Sequence, residues 1–313
     1  MALSRLLLSI CIPSFNRASL LSECLSSITN QLDDKSIRNQ IEIIVSDNNS
    51  QDNTKEIVKK FQNKYKNIRY FKNEATIHGD LNIIKSASYA KGQYLWFFGD
   101  DDIHYPWSVK TLLKIINKYH PDAIKCNLDL SSKDGKKMLD WNMINLKKDI
   151  FVKTKKELFN FLETKFFMHL DWYLTCQSNT IVSRKLFRDN IDDVMKYYNP
   201  ETVNFLHCGL IFYNAVDYKI YMISKSLAIY RGYNTRVDFN ERRDTIEHLT
   251  NWHKVLKLHN NRISKINKKN ISFKFKFLLF LKDFTRDIRL LTMKYFAYDV
   301  SNILIKLFHK KEL

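Results

Sequence analysis

Tyr94-Leu-Trp-Phe-Phe-Gly-Asp-Asp-Asp102 runs five apolar or aromatic residues into a glycine and three successive aspartates. An uninterrupted apolar run of this length, ended by glycine, predicts a strand covered on both faces that opens into a tight acidic turn. Working outward, a run of the same kind recurs at Leu6–Ile12, broken only by Ser9, and further strands are expected at Ile41–Ser46, Ile68–Phe71 and Ala123–Cys126. Between them lie segments of helical periodicity. Ser19–Asn30 carries Leu20, Leu21, Cys24, Leu25 and Ile28 on one face, followed by Thr54–Tyr65, Leu81–Ala90 and Trp107–Lys118. Strands alternating with helices predict parallel βαβ units: an α/β fold with a mostly parallel sheet and helices on both faces.

After residue 130 this rhythm loosens. Ser131–Lys137 reads as a hairpin turn, Thr154–Phe167 and Thr202–Tyr213 as helices, and Asn179–Ser183 as a strand. Beyond residue 240, Phe273, Phe277, Phe280 and Phe284 recur at helical spacing among Lys274, Lys276, Lys282, Arg286 and Arg289. The expected organisation is a catalytic domain over 1–240, its first half 1–126 and its second 127–240, followed by a basic amphipathic helical extension over 241–313.

With 45% hydrophobic and 13% aromatic residues in 313, the chain can bury a sizeable core, which excludes wholesale disorder. Six glycines and four prolines exclude a collagen-like or linker-rich chain. Five scattered cysteines without a CxxC pair argue against a disulfide scaffold or zinc site and for a reducing compartment. Leu6–Ile12 is too short for a signal peptide, and no run is long enough to span a bilayer. The formal charge of +18, from 51 Lys+Arg against 33 Asp+Glu, fits a polyanionic partner: nucleic acid, an anionic membrane face or phosphate-bearing substrates.

In an open α/β sheet, ligands bind outside the carboxyl ends of the strands. Three loops should converge there: Pro13-Ser-Phe-Asn-Arg17, Asp47-Asn-Asn-Ser-Gln-Asp52 and Gly99-Asp-Asp-Asp102. The second supplies acceptors for a nucleobase or ribose, with Arg17 near for a phosphate; equally, Asp47 and Asp52 can serve as turn and capping residues. Three adjacent carboxylates at a strand end repel unless a cation neutralises them, and a hard divalent metal takes one or two carboxylates plus substrate phosphates. Asp100 and Asp102 are expected to face one way, with Asp101 aside; the plainer role for Asp102 is capping the next helix.

The order and spacing of Ser9-Ile-Cys-Ile-Pro-Ser-Phe-Asn-Arg17, Ile43-Ile-Val-Ser-Asp-Asn-Asn-Ser-Gln-Asp52 and the WFFGDDD run resemble the family 2 glycosyltransferases of the GT-A fold. Within it, the bacterial surface-glycan enzymes are similar, abequosyltransferase-like members included. The resemblance is strong over residues 6–126, weak to about 235 and slight beyond. It implies a metal-dependent, inverting transfer from a nucleotide sugar, a UDP-sugar foremost, to a hydroxyl of a lipid-linked or surface glycan. By that analogy Pro13, Phe15 and Arg17 line the nucleotide site and Asp47 meets the base. Asn82, in Gly79-Asp-Leu-Asn82, and Lys85 sit beside the uridine, Asp100 and Asp101 belong to the donor turn, and Asp102 with Asp100 holds Mn²⁺ or Mg²⁺. The family's acceptor-side acid is matched best by Glu201, with Asp171 the rival, although Glu201 reads equally as a first-turn helix residue after Pro200. His207 is either a third metal ligand or a packed helix residue. Arg231 either neutralises the leaving diphosphate or forms a surface ion pair.

The implied location is the cytoplasmic face of the membrane, with the basic extension on anionic lipid; the extension can equally cap the domain. A nucleic-acid-binding protein is disfavoured because the candidate pocket is acidic while the basic excess lies in the extension. An inactive scaffold of the same family is disfavoured by the intact aspartates.

Overall fold

The computed structural model describes residues 6–132, 138–142, 146–163, 176–200, 205–213 and 216–231, with isolated positions between 264 and 269. Among the described residues, ten strands form one sheet: β1 (Leu8–Ser14), β2 (Ile41–Asp47), β3 (Ile68–Lys72), β4 (Tyr94–Phe97), β5 (Ile103–His104), β6 (Ala123–Ser131), β7 (Met138–Asn142), β8 (Ile150–Val152), β9 (Thr180–Ser183) and β10 (Ile220–Arg231). The order is β3-β2-β1-β4-β9-β6-β10-β5, with β7 on β6 and β8 on β10. The pairs β3-β2-β1-β4 are parallel, as the βα alternation requires. The helices of this half are α1 (Ala18–Thr29), α2 (Lys35–Arg38), α3 (Thr54–Lys64), α4 (Gly79–Ser88) and α5 (Ser108–Tyr119). α1 buries Leu21, Cys24, Leu25 and Ile28 at helical spacing and packs on α3 and β5, while α4 packs on β1 and β2.

One feature departs from a doubly wound parallel sheet. β9 is antiparallel and inserts between β4 and β6, pairing with both. The Asn179–Ser183 run was legible as a strand, but its neighbours were not, because apolar runs do not encode partners. Also absent from the sequence reading were α2, β8, the long β10 and the helix α7 (Arg184–Met195), which follows α6 (Lys155–Glu163). The helix expected from Thr202 appears as α8 (Leu206–Phe212), entered through Phe205 at φ 51°. Ser131 pairs with Met138, as the hairpin reading requires.

The core is the buried strand bundle, with Ile10, Ile12, Trp96, Phe97 and Phe98 at zero exposure. All five cysteines are buried and free. At the amino ends of the strands, buried Glu42 binds a polar cluster. Its Oε1 accepts from Ser9 Oγ (2.7 Å), Lys91 N–H (2.6 Å) and Gly92 N–H (3.2 Å), and its Oε2 from Arg69 (2.9 Å). Of the extension, little lies among the described residues. Asn267 is buried and donates to the Phe212 carbonyl at 2.9 Å, so the chain touches the domain there. Among the described residues no helix is long and apolar enough to cross a membrane.

His104 lies between the rings of Trp96 and Phe98, at centroid distances of 4.4 and 3.9 Å. Burial pushes its pKa down from 6.5 to about 3. A depressed folded pKa means that the stability this neutral ring contributes is intact above pH 6.5 and is lost as pH falls toward 3. His104→Phe is therefore expected to flatten the decline of the urea midpoint over that window. An unchanged slope would assign the acid sensitivity to another group.

Candidate active site

The three loops meet at the carboxyl ends of β1, β2 and β4. Ser14 pairs with Asp47 in register, and Asn48 N–H donates to the Ser14 carbonyl at 2.8 Å. Asn16 and Asn49 take positive φ, 52° and 66°, a conformation asparagine tolerates better than most residues. This lets Asn16 reach across the first two loops: its N–H donates to Ser50 Oγ (2.9 Å) and its Oδ1 accepts from Gln51 N–H (2.8 Å). Asp52 accepts from Ala18 N–H at 2.9 Å and Thr54 N–H at 3.1 Å, so it caps two helices and stitches the loops. That is the capping role left open for it. The third loop joins through Ser14 Oγ, which donates to Asp100 Oδ2 at 2.7 Å.

The aspartates divide differently from the D-x-D expectation. Arg17 gathers Asp100 (3.1 Å) and Asp101 (3.0 Å), whereas Asp102 turns inward, accepting from Ser178 Oγ at one oxygen and from Arg231 N–H at 3.1 Å at the other. One guanidinium nitrogen of Arg17, Nη1, donates to both neighbouring carboxylates, and the tight turn leaves Asp102 to be held by Ser178 and the end of β10. Burial, then Asp101, pushes Asp100 up to about 6, and the same causes in the same order push Asp102 well above the usual carboxylate range. Arg17 is 44% exposed, so its screened charge offsets little of that cost. The site therefore holds desolvated oxygen donors with too little positive charge around them, a donor set of the kind a hard divalent cation takes.

Asp47 is buried; its oxygens accept from Ser50 N–H (2.8 Å) and Tyr70 OH (2.5 Å). Asn82 is buried and bonded at both ends, to Ser46 and Asn73, so it locks α4 to β2; Lys85 follows half-buried on α4. Phe15 is exposed and Pro13 half-buried. Arg231 is buried rather than at the surface, and its guanidinium pairs with Glu23 of α1 at 2.5 Å, the ion-pair role left open for it. His207 does not join the aspartates: it is buried in α8, its ring 6.0 Å from that of Phe97, and among the described residues no three His, Cys, Asp or Glu side chains converge to hold a metal. Packing on β4 places it there. Asp171 and Glu201 lie outside the described residues. Sequence reasoning missed Ser14, Tyr70, Asn73 and Ser178. Of these only Ser14 and Tyr70, at the ends of recognised strands, carried a positional signal.

The model of glycosyl transferase family 2 matches residues 9–190. Abequosyltransferase RfbV of Salmonella typhimurium is 42% identical over 98 residues, 31% of this chain and 28% of that protein. GalNAc(5)-diNAcBac-PP-undecaprenol beta-1,3-glucosyltransferase of Campylobacter jejuni is 29% identical over 226 residues, 72% of this chain and 64% of that one. The matches thus span less than two thirds of these relatives. TarS of S. aureus shares the fold, with a TM-score of 0.62 at 17% identity over 92% of this chain and 79% of that one; it has also been solved with UDP-GlcNAc.

Proposed function

Since the chain belongs to glycosyl transferase family 2, we propose that it transfers a sugar, with inversion, from a UDP-sugar to a hydroxyl of a lipid-linked or surface glycan. The observation that carries this reading is the convergence of three loops on the buried pair Asp100 and Asp102 at the carboxyl ends of β1, β2 and β4. The UDP-GlcNAc complex of TarS supports the choice of nucleotide, and the undecaprenol-linked acceptor named for the Campylobacter relative supports that of acceptor.

Phe15, exposed beside the nucleotide loops, offers its ring to the base, and Arg17 offers its outer face to the diphosphate. Asp100 and Asp102 would hold Mn²⁺ or Mg²⁺, which when bound neutralises the leaving diphosphate as a Lewis acid. The acceptor oxygen attacks the anomeric carbon as its proton passes to a carboxylate, and the bond to the diphosphate breaks with its electron pair. Asp100 and Asp102 are assigned to the metal side, so the base comes from the second half of the chain: Glu201, with Asp171 the alternative. The basic extension would bring the acceptor membrane near.

A thermal-shift series with UDP-, GDP-, CDP- and dTDP-sugars, with and without Mn²⁺, tests the donor. A ligand of the native state at a hundredfold excess over its Kd stabilises by about 2.7 kcal/mol, so a UDP-sugar with Mn²⁺ should give the largest rise in Tm. No response to any of the four removes the donor assignment. For the base, Glu201→Gln is expected to lower the transfer rate about 10²- to 10⁴-fold with donor affinity nearly unchanged. Joint loss of affinity and rate would move Glu201 to the donor side, and full activity beside an inactive Asp171→Asn would pass the role to Asp171.

A further inference from the structure

We infer that Ser178 is a positioning residue of this transfer: its hydroxyl fixes the Asp102 carboxylate and the Gly99 turn together, in the orientation that receives the donor diphosphate. The inference rests on the donor reading above.

The insertion of β9 brings it there. Phe97 pairs with Thr180 in the antiparallel β4–β9 register, and continuing that register by two residues puts Ser178 opposite Gly99. Ser178 is 1% exposed, so its hydroxyl has no water to bind instead. It uses both of its capacities: Oγ accepts from Gly99 N–H at 2.9 Å and donates to Asp102 Oδ2. Only a group that is at once donor and acceptor can do this from one atom. Alanine would strand a buried N–H and a buried carboxylate oxygen together.

The surroundings hold that hydroxyl still. Trp96 Nε1 donates to the Ser178 carbonyl at 2.8 Å, and Gln177 Nε2 to the Phe98 carbonyl at 3.0 Å, so one turn clasps the other on both sides. Buried Lys125 donates to Thr180 Oγ1 at 2.9 Å and to Asn179 Oδ1, pinning the segment from behind. A Cβ on Gly99 would meet Asp101 at 3.0 Å, Asp102 at 3.1 Å and Ser178 Oγ at 3.3 Å. The turn is therefore already packed against both partners, and the Ser178 hydroxyl, with Arg231 N–H at the other oxygen, sets the orientation of Asp102. Groups that orient a ligating carboxylate in this way govern affinity and rate without touching substrate.

The full chain is titrated with Mn²⁺ in the presence of UDP, with free Mn²⁺ read by electron paramagnetic resonance, and Tm is recorded for each variant. Ser178→Ala is expected to weaken Mn²⁺–UDP binding about 10- to 100-fold, while Ser178→Thr, which keeps the hydroxyl, recovers most of it. If Ser178→Ala does not fold, Ser178→Cys, a weaker donor of similar size, replaces it with the same expectation. Binding unchanged in Ser178→Ala, or lost equally in Ser178→Thr, overturns the inference. Absence of Mn²⁺–UDP binding in the unaltered protein overturns the donor reading itself, a failure seen before any variant is made.

Discussion

Asp102→Asn is expected to cut transfer about a thousandfold, equivalent to about 4 kcal/mol of transition-state stabilisation, while the fold stands. The substitution keeps the shape and removes the charge. Its carbonyl can still accept from Arg231 N–H and its amide can donate to Ser178 Oγ, so only the Ser178 hydroxyl hydrogen must find a new acceptor. The stability effect has a definite sign. Burial raises the folded pKa of Asp102, and a raised acid contributes stability at low pH that is lost as pH rises through the folded value. The variant lacks that loss. Without metal, its Tm relative to the parent should therefore improve between pH 5 and pH 8, as a scanning fluorimetry series would record. Parent-level turnover would refute the charge role, and a Tm difference that worsens with pH would refute the burial argument.

Glu42→Ala is expected to produce the largest loss of stability, about 3–5 kcal/mol, or a Tm lower by about 10 °C for a domain of this size. Glu42 is 4% exposed and accepts from four donors on β1, β3 and the segment before β4. Removing it leaves the Arg69 guanidinium without its carboxylate and the Ser9 and Lys91 donors short of an acceptor, while Gly92 N–H keeps Ser9 Oγ at 2.9 Å. Repacking cannot fill the gap, because Gly92 already lies so close to β1 that a Cβ there would stand 2.7 Å from Ser9 N. The cluster sits at the strand ends opposite the aspartates, so donor binding at low temperature should survive. Urea midpoints and Mn²⁺–UDP titrations separate the two effects; a Tm within about 2 °C of the parent would show that water replaces the carboxylate.

What could be read beforehand has a physical pattern. β1, β2 and β4 are covered on both faces, so each was a mainly apolar run, broken before its loop only by Ser9 in β1 and by Glu42 and Ser46 in β2, and each delivers a polar loop immediately after it. Their convergence on Asp47, Arg17 and Asp100 followed from parallel pairing alone. β10 was not legible because Ser224, Lys225 and Ser226 interrupt its apolar run, where the register against β6 also shifts. Ser178 was not legible because its partner Asp102 is 76 residues away and reached only through the antiparallel insertion. His207 was left between two roles because a histidine on an apolar helix face carries the same letters whether it ligates or packs.

The insertion of β9 also sets a schedule. As the chain leaves the ribosome, the loops ending at Asp102 emerge early, yet Ser178 and the amide of Arg231 that grip this aspartate are made 76 and 129 residues later. Closing loops of that length costs entropy before any contact repays it. A nascent chain of about 126 residues therefore carries every nucleotide loop but an unfinished acidic turn. Competence to hold a charged donor is acquired only once β9 has slotted between β4 and β6 and the end of β10 has been made.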